Sequence, residues 1–312
     1  MEIYPDLNSV KKNSNSVITV GTFDGVHLGH QFILEELKKR AIRRGAASTL
    51  VTFKPHPQLV LNSKKPDLKI LTTLEEKIEI LSQIQLDRVI IIPFTREFAK
   101  TPSHDFVRTI LFDTIGFKEI VVGHDHAFGK DREGDMSTLR AMADELGFSV
   151  DNLPGYQLDG TVISSTKIRN LIAGDNIKEA NKLLARNYFF SGKVVPGDGR
   201  GARQNFPTAN LQIDSEDKLI PPDGVYAVHV RLSGEQYHGM MNIGVRPTFG
   251  ERQHTIEVHI FNFDQDIYGE TLRIECVEKI RNEIHFSNPG ELVKQLEKDK
   301  THCVTLLREQ EA

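Results

Sequence analysis

Cysteine is scarce in this chain of 312 residues: only Cys276 and Cys303 occur. Neither has a C-x-x-C partner, so a zinc site and a disulfide framework are both disfavoured, and two idle thiols in a reducing compartment are expected. Long apolar runs are missing as well. Val89–Ile92 is typical, far below the roughly 20 residues that cross a bilayer. The opening MEIYPDLNSVKKNSNS lacks the apolar core of a signal peptide, so a cytoplasmic protein without a membrane partner is expected. Positive charge is not in excess: 39 Lys and Arg stand against 43 Asp and Glu, net −4, with a pI near 6.3. That balance argues against nucleic acid as a partner and leaves small molecules. No internal repeat or low-complexity tract is present, and nothing in the sequence marks an oligomeric state.

What is present falls into two textures. Up to about residue 186, apolar strand runs such as Ser48–Phe53, Arg88–Pro93 and Glu119–Gly123 alternate with helical stretches. Thr73–Ile84 opens with the capping box Thr73-x-x-Glu76, and Ser103–Ile115 ends against Gly116. Such alternation predicts an α/β fold with a doubly wound parallel sheet and ligands at the carboxyl ends of its strands. Beyond Arg186, short runs rich in Val, Ile, Tyr and Phe are separated by Gly, Pro, Asn and Asp: Gly224–Leu232, Tyr237–Ile243, His254–Phe261 and Thr271–Ile280. These predict an antiparallel sheet or small barrel with a terminal helix near Pro289–Arg308. The expected domains are 1–185 and 186–312.

The segment VGTFDGVHLGHQFI, Val20–Ile33, carries the most chemistry. A strand run (Val17, Ile18, Val20) stops at Gly21, a tight turn follows, and Ile33, Leu34, Leu37 and Ala41 then fall on one helical face. His27 and His30 flank Gly29 at the helix start, where backbone N–H groups favour anions. A glycine at position 29 allows a polyphosphate to approach the backbone. The H-x-G-H pattern in this setting looks like the signature of the nucleotidyltransferase superfamily.

Four further segments point to the same chemistry. TFKPHP, Thr52–Pro57, is a stiff loop with His56 between two prolines. VVGHDHAFG, Val121–Gly129, offers Asp125 and Phe128; no third ligand completes His124 and His126 as a metal site. ISSTKIR, Ile163–Arg169, places Ser164, Ser165 and Thr166 as helix caps, with Lys167 and Arg169 in the first turn. Cations there oppose the helix dipole, which makes sense beside a phosphate. Arg132 is a candidate second phosphate contact.

Together these segments resemble the FAD synthetase (FMN adenylyltransferase) module of the prokaryotic bifunctional riboflavin kinase/FAD synthetase family. The resemblance implies transfer of AMP from ATP to the phosphate of FMN, with Mg²⁺ neutralising the polyphosphate. It implies catalytic roles for His27 and His30, and ATP contacts at Gly21, Phe23, Asp24, Gly29, Ser164, Ser165, Thr166, Lys167 and Arg169. Its flavin pocket would fall at Phe53, His56, Asp125 and Phe128.

The second half reads GDGRGARQNFPTANL over Gly197–Leu211, then NIGVRPTFG over Asn242–Gly250 and EVHIFNFDQDIYG over Glu257–Gly269. This resembles the riboflavin kinase module of the same family, a six-stranded barrel that phosphorylates riboflavin with ATP. The resemblance implies nucleotide contacts at Gly197, Gly199, Gly201, Arg203 and Asn205. Thr208 and Asn210 would be Mg²⁺ ligands, and Glu257 the catalytic base. Asn205 stands where the family usually has Gly, which adds a side chain beside the nucleotide loop. Asn282 and His285 also replace commonly charged residues. The alternative reading is therefore an FAD synthetase with an impaired kinase barrel. Among rivals, a class I aminoacyl-tRNA synthetase would need a K-M-S-K-S-like loop and a basic surface. Another small-molecule nucleotidyltransferase leaves PTAN unexplained, and retained H-x-G-H, ISSTKIR and PTAN speak against a decayed flavin sensor.

Overall fold

The computed structural model describes residues 1–61, 68–123, 128–130, 133–197, 206–247 and 252–309. His124, Asp125, His126, Arg132, Gly199, Gly201, Arg203 and Asn205 lie outside the described residues. The chain divides into two compact units, Met1–Ser165 and Thr166–Ala312.

In the first unit, strand β1 (Glu2–Tyr4) and β2 (Ser16–Val20) precede helix α1 (Leu28–Arg44) and β3 (Ala47–Lys54). Helices α2 (Pro57–Leu61) and α3 (Leu74–Ile84) lead to β4 (Arg88–Pro93). A single turn, α4 (Ser103–Asp105), passes into a π-helix over Phe106–Ile115. Strand β5 (Glu119–Gly123), helix α5 (Met136–Leu146), β6 (Ser149–Leu153) and the hairpin of β7 (Gln157–Leu158) and β8 (Thr161–Val162) follow.

Strands β1 to β6 pair in parallel in the order β1-β4-β3-β2-β5-β6. Strand β2 is buried along its whole length; a strand covered on both faces has no solvent side on which to place polar residues regularly. The order reverses between β2 and β5, and the crevice at their carboxyl ends is where such sheets bind ligands. Helix α1 buries Leu34, Leu37 and Ala41 and closes on Gly45 in the left-handed region. The capping box of Thr73 and Glu76 forms as expected. Ser103–Ile115 is helical as expected, but most of it is wider than an α-helix: the Gly116 amide donates to the Leu111 carbonyl, five residues back.

Helix α6 (Ser165–Ala173) starts at the last residue of the first unit, and α7 (Ile177–Leu184), β9 (Tyr188–Val195) and β10 (Ala209–Gln212) follow in the second. Strands β11 (Gly224–Leu232), β12 (Glu235–Pro247), β13 (Arg252–Ile260) and β14 (Thr271–Arg281) precede the terminal helix α8 (Pro289–Glu309). The six strands β9 to β14 form a closed antiparallel barrel in the order β10-β13-β12-β11-β14-β9. Closure leaves no free sheet edge. Helix α8 covers part of the barrel through Cys303 and Leu307, which pack with Phe206, Met240 and Phe261. Both cysteines are free and buried, and burial pushes each thiol up to about 12. The α/β class, the parallel sheet, the six-stranded barrel and the terminal helix thus match the sequence reading.

Candidate functional site

The turn after β2 lies at the carboxyl edge of the sheet, beside the reversal of strand order. It uses an uncommon backbone: Phe23 (φ 48°), Gly25 (φ 81°) and Val26 (φ 37°) all lie in the left-handed region. For Val, whose branched Cβ crowds this conformation, that is a true outlier. His27 ends the turn as the N-cap of α1, with its Nδ1 accepting the His30 amide at 3.3 Å. An accepting Nδ1 leaves Nε2 as the protonated nitrogen of the neutral ring. The two imidazoles stack with centroids 3.6 Å apart and planes 16° apart, and Phe23 packs on His30 at 4.8 Å. His27 is only 4% exposed, whereas His30 is half-buried. A Cβ at position 29 would sit 3.3 Å from the His27 ring, so Gly29 gives that ring its place.

Asp24 turns its carboxylate inward rather than to the surface. It is 2% exposed and accepts the amides of Leu71 (3.0 Å) and Thr72 (3.0 Å), along with the Thr72 hydroxyl (3.3 Å). The Thr72 hydroxyl oxygen in turn accepts the Gly25 amide at 3.0 Å. Ser165, at the start of α6, donates its hydroxyl to the Asp24 carbonyl at 2.9 Å instead of capping its own helix. Thr166, Lys167 and Arg169 occupy the first turns of α6, and Ser164 directly precedes it.

Aromatic rings gather near the carboxyl ends of β3 and β4. Phe53 meets Phe94 (5.6 Å) and Phe98 (6.2 Å), and Phe106 lies between Phe98 and Phe128. Phe128 is buried and pairs its backbone with Gly134. His56 accepts the Gln58 amide at 3.2 Å and so shapes the start of α2. Sequence reading missed Phe94 and Phe98, which belong to the same ring cluster as Phe53.

In the second unit, Thr208 donates its hydroxyl to Glu257 at 3.2 Å. Barrel register sets Asn210 opposite Glu257 on one neighbouring strand and Asn242 opposite it on the other. Glu257 and Thr208 line a cavity of about 290 Å³ closed partly by α8. A Cβ at position 197 would run into the Asn210 carboxamide, so Gly197 leaves that group its space.

Three further residues lining the cavity, Asn242, His259 and Arg281, escaped the sequence reading. His259 is bonded through Nδ1 to the Pro207 carbonyl at 2.8 Å. A carbonyl only accepts, so Nδ1 carries the proton; burial lowers the pKa of the ring. Arg281 is clamped by Asp299 of α8 through Nε at 2.9 Å and Nη2 at 2.7 Å. Gln295 holds the other carboxylate oxygen of Asp299 at 2.8 Å. The carboxylates of Glu257 and Glu283, the Asn242 carboxamide and the Thr208 hydroxyl line this cavity, with Asn210 opposite Glu257 in register; such groups suit proton removal from an alcohol and the binding of a hard cation. The turn in the first unit, with a helix N-terminus and two imidazoles, suits a polyphosphate.

Comparison with known proteins gives the family of each half of the chain. A family model described as FAD synthetase matches residues 9–167, and one described as riboflavin kinase matches residues 184–307. A protein of Listeria monocytogenes named bifunctional riboflavin kinase/FMN adenylyltransferase is 39% identical over 287 residues, 92% of this chain and 90% of that one. A Bacillus subtilis protein of the same name is 36% identical, covering 94% of this chain and 93% of its own. A solved structure from Streptococcus pneumoniae, titled a macrolide-efflux protein, shares the fold with a TM-score of 0.87 at 31% identity, covering 96% of this chain and 97% of that one. Among the described residues here, no helix is long and apolar enough to cross a membrane. With two family matches in sequence order and near-complete coverage of its relatives, the chain belongs to the bifunctional riboflavin kinase/FMN adenylyltransferase family.

Proposed function

We propose that this chain makes FAD from riboflavin in two ATP-dependent steps in the cytoplasm, with residues 186–312 forming FMN and residues 1–185 adenylylating it. This division falls later in the chain than the boundary between the compact units at Ser165 and Thr166. The carrying observation is the His27–His30 turn at the carboxyl edge of the parallel sheet, where strand order reverses.

In adenylylation, an oxygen of the FMN phosphate attacks the α-phosphorus of ATP in line. A new P–O bond forms as the bond to the bridging oxygen breaks, and pyrophosphate leaves. Little proton transfer is needed, so positioning and stabilisation of charge dominate. The α1 amides and the two imidazoles receive the phosphates. Gly21, Phe23, Asp24 and Gly29 set the shape of the turn. Ser164, Ser165, Thr166, Lys167 and Arg169 supply hydroxyls and charge from α6 and the residue before it. Phe53, His56 and Phe128 contribute to the flavin pocket.

In phosphorylation, the terminal ribityl hydroxyl attacks the γ-phosphorus and ADP departs. Glu257 takes the hydroxyl proton, with its carboxylate oriented by Thr208. A carboxamide oxygen at Asn210 and the Thr208 hydroxyl are hard donors beside a carboxylate, a set that fits Mg²⁺. They would hold that ion, and it would neutralise phosphate charge. Gly197 gives the nucleotide loop its approach. Two release assays test the assignment: pyrophosphate from ATP with FMN, and ADP from ATP with riboflavin. Absence of either product removes the corresponding half.

A further inference from the structure

Behind the His27–His30 turn lies a buried lysine that the functional reading does not use. Lys77 projects from α3, is 6% exposed, and donates from Nζ to the Thr22 carbonyl at 2.6 Å. Its Nζ also reaches the Thr52 hydroxyl at 3.4 Å, and that hydroxyl itself donates to the Thr22 carbonyl at 3.2 Å. Thr22 immediately precedes Phe23, the first of the turn's left-handed residues. Burial pushes the Lys77 pKa down to about 8, opposed by the charge of Asp24. The ammonium therefore stays mostly protonated at neutral pH.

We propose that Lys77 is a positioning residue for adenylyl transfer: its buried ammonium fixes the Thr22 carbonyl and so holds the left-handed turn in the shape that presents His27, His30 and the α1 amides to the triphosphate. This rests on the adenylyl-transfer reading of the first module. Residues in sparsely populated backbone regions persist only where their surroundings over-determine them. Here the surroundings are identifiable. Lys77 and Thr52 hold the carbonyl at the head of the turn. The amides of Leu71 and Thr72 hold the Asp24 side chain at its centre, and Gln31 grips the Val26 carbonyl near its end at 2.9 Å. Lys77 is the one cation in that set, and an anionic triphosphate above the turn gains from a fixed positive charge beneath it. A lysine buried only for packing would be better replaced by an aliphatic residue, since desolvating its charge opposes folding.

The full-length chain with Lys77→Met tests this, with Thr52→Val as a second variant that keeps side-chain volume. Initial rates of FAD formation from FMN are measured against ATP and against FMN, alongside near-ultraviolet circular dichroism. The expected result for folded Lys77→Met is a KM for ATP raised on the order of tenfold, with the KM for FMN unchanged. Thr52→Val shifts the KM for ATP in the same direction by a smaller factor. A merely structural lysine would lower the active fraction, and hence the maximal rate, without moving either KM. An unchanged KM for ATP in folded Lys77→Met overturns the proposal. Should Lys77→Met not fold, an unchanged KM for ATP in Thr52→Val does so. Failure of the unaltered chain to make FAD from FMN overturns the adenylyl-transfer reading itself, a separate result.

Discussion

The Nδ1 of His27 accepts the backbone amide of His30, and the two imidazoles lie face to face 3.6 Å apart. One residue thus both caps α1 and forms half of the stacked imidazole pair proposed to receive the phosphates. These duties separate by mutation. His27→Ala loses cap and imidazole together, at about 1 kcal/mol of stability and about a hundredfold or more in adenylyl-transfer rate. His27→Asn keeps an N-cap acceptor, so the thermal midpoint returns toward the parent's while the rate stays low. Recovery of rate with recovery of the cap would remove the imidazole from the mechanism.

Glu257 offers the matching test in the barrel. Glu257→Gln keeps shape and removes the proposed base, and riboflavin phosphorylation should fall about a hundredfold or more. Formation of FAD from supplied FMN should persist. Gly197→Ala should act on the same step by displacing the Asn210 carboxamide. Riboflavin phosphorylation at parental rate in either variant would remove that residue from the kinase chemistry.

Much of this arrangement was written locally in the sequence. The His27 cap on α1, the Thr73–Glu76 box and the span of strand β11 follow patterns of a few neighbouring residues, and each formed as read. Lys77 was not legible. A lysine on the amphipathic helix α3 reads as surface charge, and only the packing of that helix beneath the turn buries it. Asn242, His259 and Arg281 reach one cavity through barrel register, which no local pattern fixes. The π-helix was invisible for a similar reason: apolar spacing marks a helix without stating whether its bonds span four residues or five.

Lys77 also makes a prediction about pH. Its pKa is about 8 in the folded chain against an ordinary 10.5. Between these values the unfolded chain holds more protons, so stability rises with pH across that window and is lost as pH falls back toward 8. The full span corresponds to about 3 kcal/mol. The buried thiols, pushed the other way, lower stability above pH 9 in both proteins alike, so from pH 7.5 to 10.5 the stability of the parent should rise relative to that of Lys77→Met. Parallel curves for the two proteins would mean that Lys77 is not desolvated as the structure has it.

The thiols should be inert in the native protein. With Cys276 and Cys303 buried and each pushed up to about 12, the thiolate fraction at neutral pH is negligible. Iodoacetamide at pH 7.5 should leave the native chain unmodified by mass spectrometry and add two groups in denaturant. Rapid alkylation of the native chain would show that one of the sites opens.

The most direct measurement is product analysis by liquid chromatography of the purified chain with ATP and Mg²⁺, riboflavin in one tube and FMN in another. The account predicts FAD in both tubes, with FMN appearing as an intermediate in the first. FAD from FMN alone would contradict the kinase half and turn attention to Asn205. No flavin product in either tube would contradict the account as a whole.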